Sequence, residues 1–318
     1  MPFCVKGAEI EAVFGCTPAE GQDNAAFLAP LFGEDKAHAV VKSSGFTVRR
    51  AAKPGANVLD LALPAARAAL AGTDPASISG IVFVTFSSDM RYPSCAQRAA
   101  AELGLPRDCA ALDVQLACGG YPYGLYVASR LAVDTGKRVL LLDGDVQTAF
   151  VSPTDPATSA VMGDGASATL LAPGGTDEWR FSFLTDGAKG ASLNCPAGGP
   201  VSMQGYEVFQ YVMGEVAPFV KRFAAECGCR GEAKFVPHQA NLYMIRQLAA
   251  TAGFQPGSLL VSGDRFGNPG SASVPMTLAN EAEGSSGRYL LAGFGAGLSA
   301  AAAFISIGPK CRRGIVEV

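Results

Sequence analysis

The feature that most constrains the fold of this chain is an internal repeat. Residues 162–172 and 294–304 share one pattern, in which a glycine turn and a Ser-Ala pair lead into an apolar, strand-like segment. A strand, a helix and a closing glycine also recur in residues 81–105 and 235–254. Such self-similarity predicts a duplicated structural unit.

Apolar runs alternate with alanine-rich stretches along both copies, which predicts an α/β fold. The spacing of apolar residues distinguishes the two kinds of element. Strands are predicted at Ile81 to Thr85, Val139 to Asp143, Ala168 to Ala172, Phe235 to Pro237, Leu259 to Ser262 and Tyr289 to Leu291, and helices at Val58 to Leu70, Cys95 to Leu103, Tyr121 to Val133, Tyr206 to Cys227 and Tyr243 to Ala252. Pro173-Gly174-Gly175 interrupts this pattern, so we expect two halves, residues 1–173 and 174–318.

The composition restricts the class of protein. Of the residues, 49% are apolar and 17% are charged, and the formal net charge of −3 gives no basic surplus for nucleic acid. No apolar run approaches the ~20 residues that span a bilayer, and acidic residues interrupt the N-terminal apolar stretch, so we expect a cytoplasmic protein without membrane contact. The nine cysteines are scattered, which favours reduced thiols and no metal site.

Cys118 is the best candidate nucleophile. It lies in Ala117-Cys118-Gly119-Gly120-Tyr121, between an apolar run and a predicted helix. The unpaired N–H groups and the dipole at a helix start lower a thiol pKa, so we expect a thiolate here. Most cysteines are inert and buried, and the case for Cys118 therefore depends on the other motifs.

Two further polar residues occupy similar junctions. His238 follows a strand-like segment in Pro237-His238-Gln239-Ala240-Asn241, and Asn268 lies in a tight turn, Gly267-Asn268-Pro269-Gly270. Because Cys118 and Asn268 hold comparable positions in the two copies, the duplication would bring both to a shared interface. Alone, such a histidine or asparagine is usually structural.

Together these motifs resemble the ketoacyl-acyl-carrier-protein synthase III family of the thiolase superfamily. The similarity extends from about Gly45 to Ile307 and includes residues 163–166 and 294–297. The resemblance implies a thiolase-like fold, with two pseudo-duplicated α/β halves in an αβαβα layered arrangement. It also implies a homodimer that acts on acyl thioesters of coenzyme A or acyl carrier protein, without a cofactor.

The family's reaction assigns roles to residues of this chain. It implies that Cys118 is acylated by a thioester and that His238 and Asn268 stabilise the enolate formed when a malonyl thioester loses carbon dioxide. The backbone N–H groups of Cys118 and Ala296 would form the oxyanion hole. Alanine replaces the family's usual glycine at Ala296 and would restrict the loop if its φ were positive. The implied substrate-binding side chains are Tyr92, at the dimer interface, Phe266 and Phe294.

The mouth of the implied site departs from the family. Family members commonly have arginines that bind coenzyme A or the acyl carrier protein. At the corresponding positions this chain has a serine within residues 39–46, Pro156 and Tyr243. Arginine's bidentate recognition of phosphate is not replaced by these residues. We therefore expect a specialised biosynthetic enzyme with an unusual acyl carrier, with Lys42, Arg246 and Arg49 as the nearby positive charges.

Three other functions stay open. A hydroxymethylglutaryl-coenzyme A synthase needs a carboxylate base on the loop after the first strand, but Phe86 occupies that position, and Asp89 is the remaining candidate. An acyltransferase to an oxygen or nitrogen acceptor would need only Cys118 and His238. A partner subunit with little activity of its own would need none of these residues.

Overall fold

The computed structural model describes residues 2–229 and 231–318. Its strands are β1 Phe3–Thr17, β2 Gly21–Asp23, β3 Val48–Arg50, β4 Ile78–Val84, β5 Ala110–Val114, β6 Arg138–Asp145, β7 Gly165–Thr185, β8 Leu193–Asn194, β9 Ser202–Met203, β10 Lys234–Pro237, β11 Gly287–Gly295, β12 Ser299–Ile307 and β13 Arg312–Glu317. Its helices are α1 Asn24–Phe32, α2 Glu34–Ser44, α3 Val58–Ala69, α4 Cys95–Glu102, α5 Gly120–Thr135, α6 Pro156–Ser159, α7 Gly205–Tyr211, α8 Ala217–Glu226, α9 Leu242–Ala252, α10 Gly263–Phe266 and α11 Ser273–Ala279.

The strand pairing contains the same motif twice. In the first copy β4 pairs in parallel with β6, which pairs antiparallel with β7. In the second, β10 pairs in parallel with β11, which pairs antiparallel with β12. Strands β12 and β7 join the copies, so the hydrogen-bonded order is β10-β11-β12-β7-β6-β4-β5. The duplication expected from the sequence is present in the fold.

Three hydrophobic clusters define five layers. One packs α3 and α4 against β4 and β6, a second packs α8 and α9 against β11 and β12, and the third contains α5 and α11 with strands of both copies. Helices α5 and α11 therefore form a central layer that packs against strands of both copies, which belong to one nine-stranded hydrogen-bonded sheet, as the αβαβα expectation requires. Within the described part of the chain, no helix is long and apolar enough to cross a membrane.

The expected boundary between the halves lies inside strand β7. Before Pro173-Gly174-Gly175 the strand pairs with β6, and after it Arg180 to Thr185 pair with β12. Gly174 has a φ of 115°, which residues other than glycine rarely adopt. Pro173-Gly174-Gly175 thus marks a change of pairing partner within one strand, and the division into halves remains a prediction.

Most predicted elements occur within a few residues of their expected bounds, but three differ. The strand predicted at Ala168 to Ala172 is part of β7, which continues to Thr185. The predicted strand Leu259 to Ser262 is wrong, since only Leu259 forms an isolated bridge, to Phe235. The N–H of Ser262 instead donates to the Gln239 side chain at 3.1 Å, which removes it from strand pairing. The predicted helix Tyr206 to Cys227 is interrupted by a π-helical turn, Val212–Val216, between α7 and α8.

Candidate active site

Cys118 lies between the end of β5 and the start of α5, the central helix. The N-cap residue Gly119 provides no side-chain cap, and Cys118 itself is 7% exposed. Helix α5 can approach the sheet closely because it begins with glycine: a Cβ at Gly120 would lie 2.4 Å from a methyl of Val84. Local sequence therefore determines where the thiol lies.

The pKa of Cys118 is raised, to about 12, and the expectation of a thiolate is wrong. Burial is the largest cause, and the carboxyls of Asp145 and Asp143 add to it, whereas a local backbone hydrogen bond opposes it. A helix N-terminus contributes about 0.3–1 kcal/mol, which is less than the cost of removing a thiolate from water. The resting group is a thiol that needs a base.

His238 follows β10 and is held by the neighbouring strand. Its N–H donates to the carbonyl of Ala292 at 2.7 Å, and its side chain is 3% exposed. Burial lowers the pKa of His238 to about 4, against the opposing effect of a backbone hydrogen bond to Gly270. Ring nitrogen Nδ1 lies 2.8 Å from the hydroxyl of Ser273. The ring is therefore neutral at physiological pH, and Nε2 is the nitrogen left for a substrate.

Asn268 is fixed by both copies of the repeat. Its N–H donates to the carbonyl of Val161 at 2.9 Å, and its carbonyl accepts from the N–H of Gly163 at 2.9 Å. The side-chain oxygen Oδ1 accepts from the N–H of Gly270 at 3.0 Å. This turn leaves the amide nitrogen Nδ2 as the group that can donate to a ligand.

The structure brings all three residues to one cavity. Cys118, His238 and Asn268 line a space of about 500 Å³ together with Phe294, whose ring packs edge-on to the imidazole at 5.3 Å. Among the described residues that line it, none is Lys, Arg, Asp or Glu. The cavity therefore suits a neutral ligand.

A second cavity, of about 960 Å³, meets the first at the thiol. Cys118, Met162 and Leu193 line both spaces. Apolar side chains such as Phe86 and Phe150 line the second cavity beside charged ones, Asp89, Arg91 and Asp113. Cys118 is thus bordered by both cavities, an arrangement that suits a residue that exchanges one ligand for another.

The C-terminal glycine loop packs on Cys118. A Cβ at Gly295 would lie 3.0 Å from Cys118 Cβ and 3.6 Å from Sγ, so glycine is required there. Ala296 follows, lines the second cavity and has no positive φ, which removes the conformational concern raised by its methyl group. Within the described chain, no backbone carbonyl accepts from the N–H of Cys118 or from that of Ala296.

The implied substrate-binding residues lie in different environments. Phe294 lines the first cavity. Tyr92 is 86% exposed and lines neither cavity of this single chain. Phe266 is 1% exposed, packs against Ala272 and Met276 and lines neither cavity, so nothing in the structure supports a substrate contact, which stays a prediction. The chain folds inward at α10, and Phe266 becomes part of a small core beneath Asn268.

Two charged residues considered from the sequence are already paired. Arg49 is 6% exposed, donates to the carbonyl of Ser159 at 2.7 Å and stacks on Phe27, so it is not available to a carrier protein. Asp89 bonds Arg98, which lowers the pKa of Asp89 and makes the carboxylate a poor base. This pairing disfavours the hydroxymethylglutaryl-type reaction.

Sequence reasoning missed residues that surround the site. Ser273 contacts His238, and it lies five residues after Asn268 within the same motif. Asp143 and Asp145 lie at the end of β6, and their carboxyls raise the pKa of Cys118. Two acidic residues in an apolar run, Leu140 to Val146, are the signal that could have found them. Their positions depend on which strand face meets α5, which the sequence pattern alone does not specify.

Comparisons with known proteins agree with this geometry. The family model for 3-oxoacyl-[acyl-carrier-protein (ACP)] synthase III matches residues 112–190, and the model for its C-terminal part matches residues 233–307. The chain is 34% identical over 308 residues to β-ketoacyl-[acyl-carrier-protein] synthase III 2 of Streptomyces coelicolor, covering 92% of each protein.

Solved structures show the same relationship. A 3-oxoacyl-(acyl-carrier protein) synthase from Burkholderia xenovorans is 31% identical, with a TM-score of 0.94 over 100% of this chain and 99% of that one. The synthase III of Pseudomonas aeruginosa is 28% identical, with a TM-score of 0.86 over 95% of this chain and 99% of the other. With its thiolase-like fold and these relatives, the chain belongs to the β-ketoacyl-[acyl-carrier-protein] synthase III family of acyltransferases.

Proposed function

We propose that Cys118 is the acyl acceptor of a ketosynthase III reaction in which His238 and Asn268 take part. The observation that carries the proposal is the convergence of these side chains on one cavity that meets a second at the sulfur. In the first half-reaction the thiol attacks an acyl thioester, and neutral His238 takes the thiol proton as the C–S bond forms. The proton then passes to the departing thiolate, which leaves an acyl-enzyme.

The second half-reaction uses the same cavity for a malonyl thioester. Its carboxylate leaves as carbon dioxide, and the electron pair of the broken C–C bond forms an enolate. His238 Nε2–H and Asn268 Nδ2–H donate to the enolate oxygen, an effect worth about 3–4 kcal/mol for each donor. The enolate carbon attacks the acyl carbon, and the N–H groups of Cys118 and Ala296 hold the resulting oxyanion. The oxyanion collapses, the Cys118 thiolate departs, and it takes up a proton from solvent to restore the resting thiol.

The two cavities bind different parts of the substrate. The first, without charged lining residues, fits the neutral pantetheine arm that links an acyl group to coenzyme A or to acyl carrier protein. The second fits the acyl group. Its charged wall at Asp89 and Arg91 favours short or polar acyl groups over long alkyl chains.

A second copy of the chain is part of this proposal. Tyr92 is a large, exposed aromatic on the loop that also contributes Arg91 to the second cavity. In a cytoplasmic homodimer, Tyr92 would cover apolar surface at the partner's acyl cavity. The variant Tyr92→Ala tests this arrangement. Light scattering should show loss of the dimer, and acylation by different thioesters should show an altered acyl preference in the same variant.

The experiment that tests the function separates its two half-reactions. Intact-mass spectrometry after incubation with a panel of acyl thioesters should show one acyl group on the wild-type chain and none on Cys118→Ala, with Cys195→Ala as the thiol control because Cys195 also lines the second cavity. Labelled malonyl thioester should release carbon dioxide, and His238→Ala and Asn268→Ala should each slow that release about 100-fold.

Three outcomes would contradict the proposal. Acylation that persists in Cys118→Ala would exclude it as the acceptor. Product formation without carbon dioxide release would indicate transfer to an oxygen or nitrogen acceptor. Failure of the isolated chain to acquire any acyl group would indicate a partner subunit.

A further inference from the structure

The Ser273 hydroxyl has two neighbours, and their geometry assigns its proton. The backbone N–H of Gln239 donates to Ser273 Oγ at 3.2 Å, so one lone pair of the oxygen is occupied. The other contact of Oγ is His238 Nδ1, at 2.8 Å. Ser273 is 1% exposed, so water does not replace these partners. The hydroxyl proton is therefore directed at Nδ1.

A second group, the Gly270 carbonyl, acts on the His238 ring in the opposite sense. The backbone hydrogen bond to Gly270 raises the pKa of His238, as an acceptor of a ring N–H does. The Gly270 carbonyl also accepts from the N–H of Ser273, the residue whose hydroxyl contacts Nδ1. A carbonyl can only accept and favours a proton on Nδ1, whereas the hydroxyl can donate and favours a proton on Nε2.

The proposed reaction needs both forms of the neutral ring. Taking the thiol proton requires an Nε2 lone pair, whereas donating to the enolate oxygen requires Nε2–H. Resting on the proposed function, we propose that Ser273 is a positioning residue for the condensation step: by donating to Nδ1 it keeps the His238 proton on Nε2. Without Ser273, the Gly270 carbonyl holds the proton on Nδ1, so His238 remains a base but loses its donor.

The test separates the half-reactions in Ser273→Ala. Decarboxylation of malonyl thioester should fall about 10- to 100-fold with KM nearly unchanged, whereas acylation of Cys118 should stay within about threefold. Ser273→Thr keeps a hydroxyl and should restore decarboxylation. Ser262→Ala is the matched control, because Ser262 bonds Thr277 at 2.6 Å in the same buried region without contacting His238.

A spectroscopic readout measures the tautomer directly. The chain has only two histidines, so ¹⁵N-histidine NMR resolves His238 from the exposed His38. The wild-type ring should carry its proton mainly on Nε2 at pH 7, and Ser273→Ala should move it to Nδ1, with His38 unchanged. A wild-type Nδ1–H ring, or an equal loss of both half-reactions in Ser273→Ala, would overturn the proposal. The NMR arm remains decisive even if no acyl thioester labels Cys118, a result that would contradict only the proposed function.

Discussion

At the scale of single residues, burial controls the chemistry of the site. It raises the pKa of Cys118 and lowers that of His238, so both candidate partners are neutral at rest. A thiolate–imidazolium pair would have to be buried as two charges, which is costly in an apolar cavity. The proposed enzyme therefore moves a proton as the thioester is attacked, and the thiol stays unreactive without substrate.

Asp143 gives a prediction about pH and stability. It is fully buried on β6, and neither carboxyl oxygen has a hydrogen-bond partner of normal geometry among the described residues. Burial raises its pKa well above the ordinary range, the Ser271 hydroxyl opposes this and the Asp145 carboxyl adds to it. In the unfolded chain the group ionises near pH 4, while in the folded chain it stays protonated.

The direction in which pH changes the free energy of unfolding follows from this difference in bound protons. As the pH rises above about 4, the unfolded state loses a proton that the native state keeps, so the free energy of unfolding decreases by up to about 1.4 kcal/mol per pH unit. Asp143→Asn should remove this slope and be more stable than wild type at pH 7, with the difference vanishing near pH 4. Urea denaturation at several pH values measures this difference in the free energy of unfolding. The surface variant Asp134→Asn is the control, and its free energy of unfolding should stay within about 0.5 kcal/mol of the wild-type value. Lower stability of Asp143→Asn at pH 7 would contradict this reading.

At the scale of elements, central helix α5 depends on glycines at its sheet-facing positions. Gly120 and Gly124 allow the helix backbone to approach β4, while Tyr121 and Leu125 fill the adjacent core. The periodicity of the sequence predicted the helix, but not that it packs against strands of both copies. Helix periodicity is weak in such an element, because little of its surface meets water.

Gly124→Ala tests this close approach. The new Cβ would lie 2.5 Å from Val84 Cγ2 and 2.8 Å from Leu141 Cδ1, and neither buried side chain can move freely. Overpacking of this kind costs about 1–3 kcal/mol, and because Cys118 precedes the helix, its acylation should slow as well. Gly214→Ala is the control, since its Cβ would meet nothing within 4 Å and alanine favours a helix. Equal unfolding free energies for the two variants would show that α5 has room to shift.

At the scale of the whole molecule, the five layers place the loops of both copies around one site. Cys118 precedes α5 and Asn268 precedes α11, the two helices of the central layer. The uncharged cavity between them opens beside α2, whose Ser43 lines it. Because no cation is among its described lining residues, we expect the phosphates of coenzyme A to add little to the binding of pantetheine alone.

Ser43→Arg should make the protein discriminate between acyl-coenzyme A and acyl-pantetheine. An exposed arginine at this position can contact a phosphate at the mouth, so KM for an acyl-coenzyme A should fall about 3- to 10-fold, with no change for the same acyl-pantetheine. Ala39→Arg adds the same charge at an exposed position of α2 that does not line the cavity. Comparing acylation rates of the two thioesters in both variants measures the effect. The idea fails if wild type already prefers acyl-coenzyme A strongly, or if Ala39→Arg has the same effect.

The sequence alone determined the repeat, most elements, the family and the three candidate residues, because backbone periodicity and short motifs are local properties of the chain. Only the tertiary structure decided the protonation of Cys118 and His238, the burial of Phe266 and Arg49, and the contact between Ser273 and His238. Each of these depends on which groups from distant segments exclude water around a side chain. Desolvation is a property of the assembled layers, and no local pattern in the sequence specifies it.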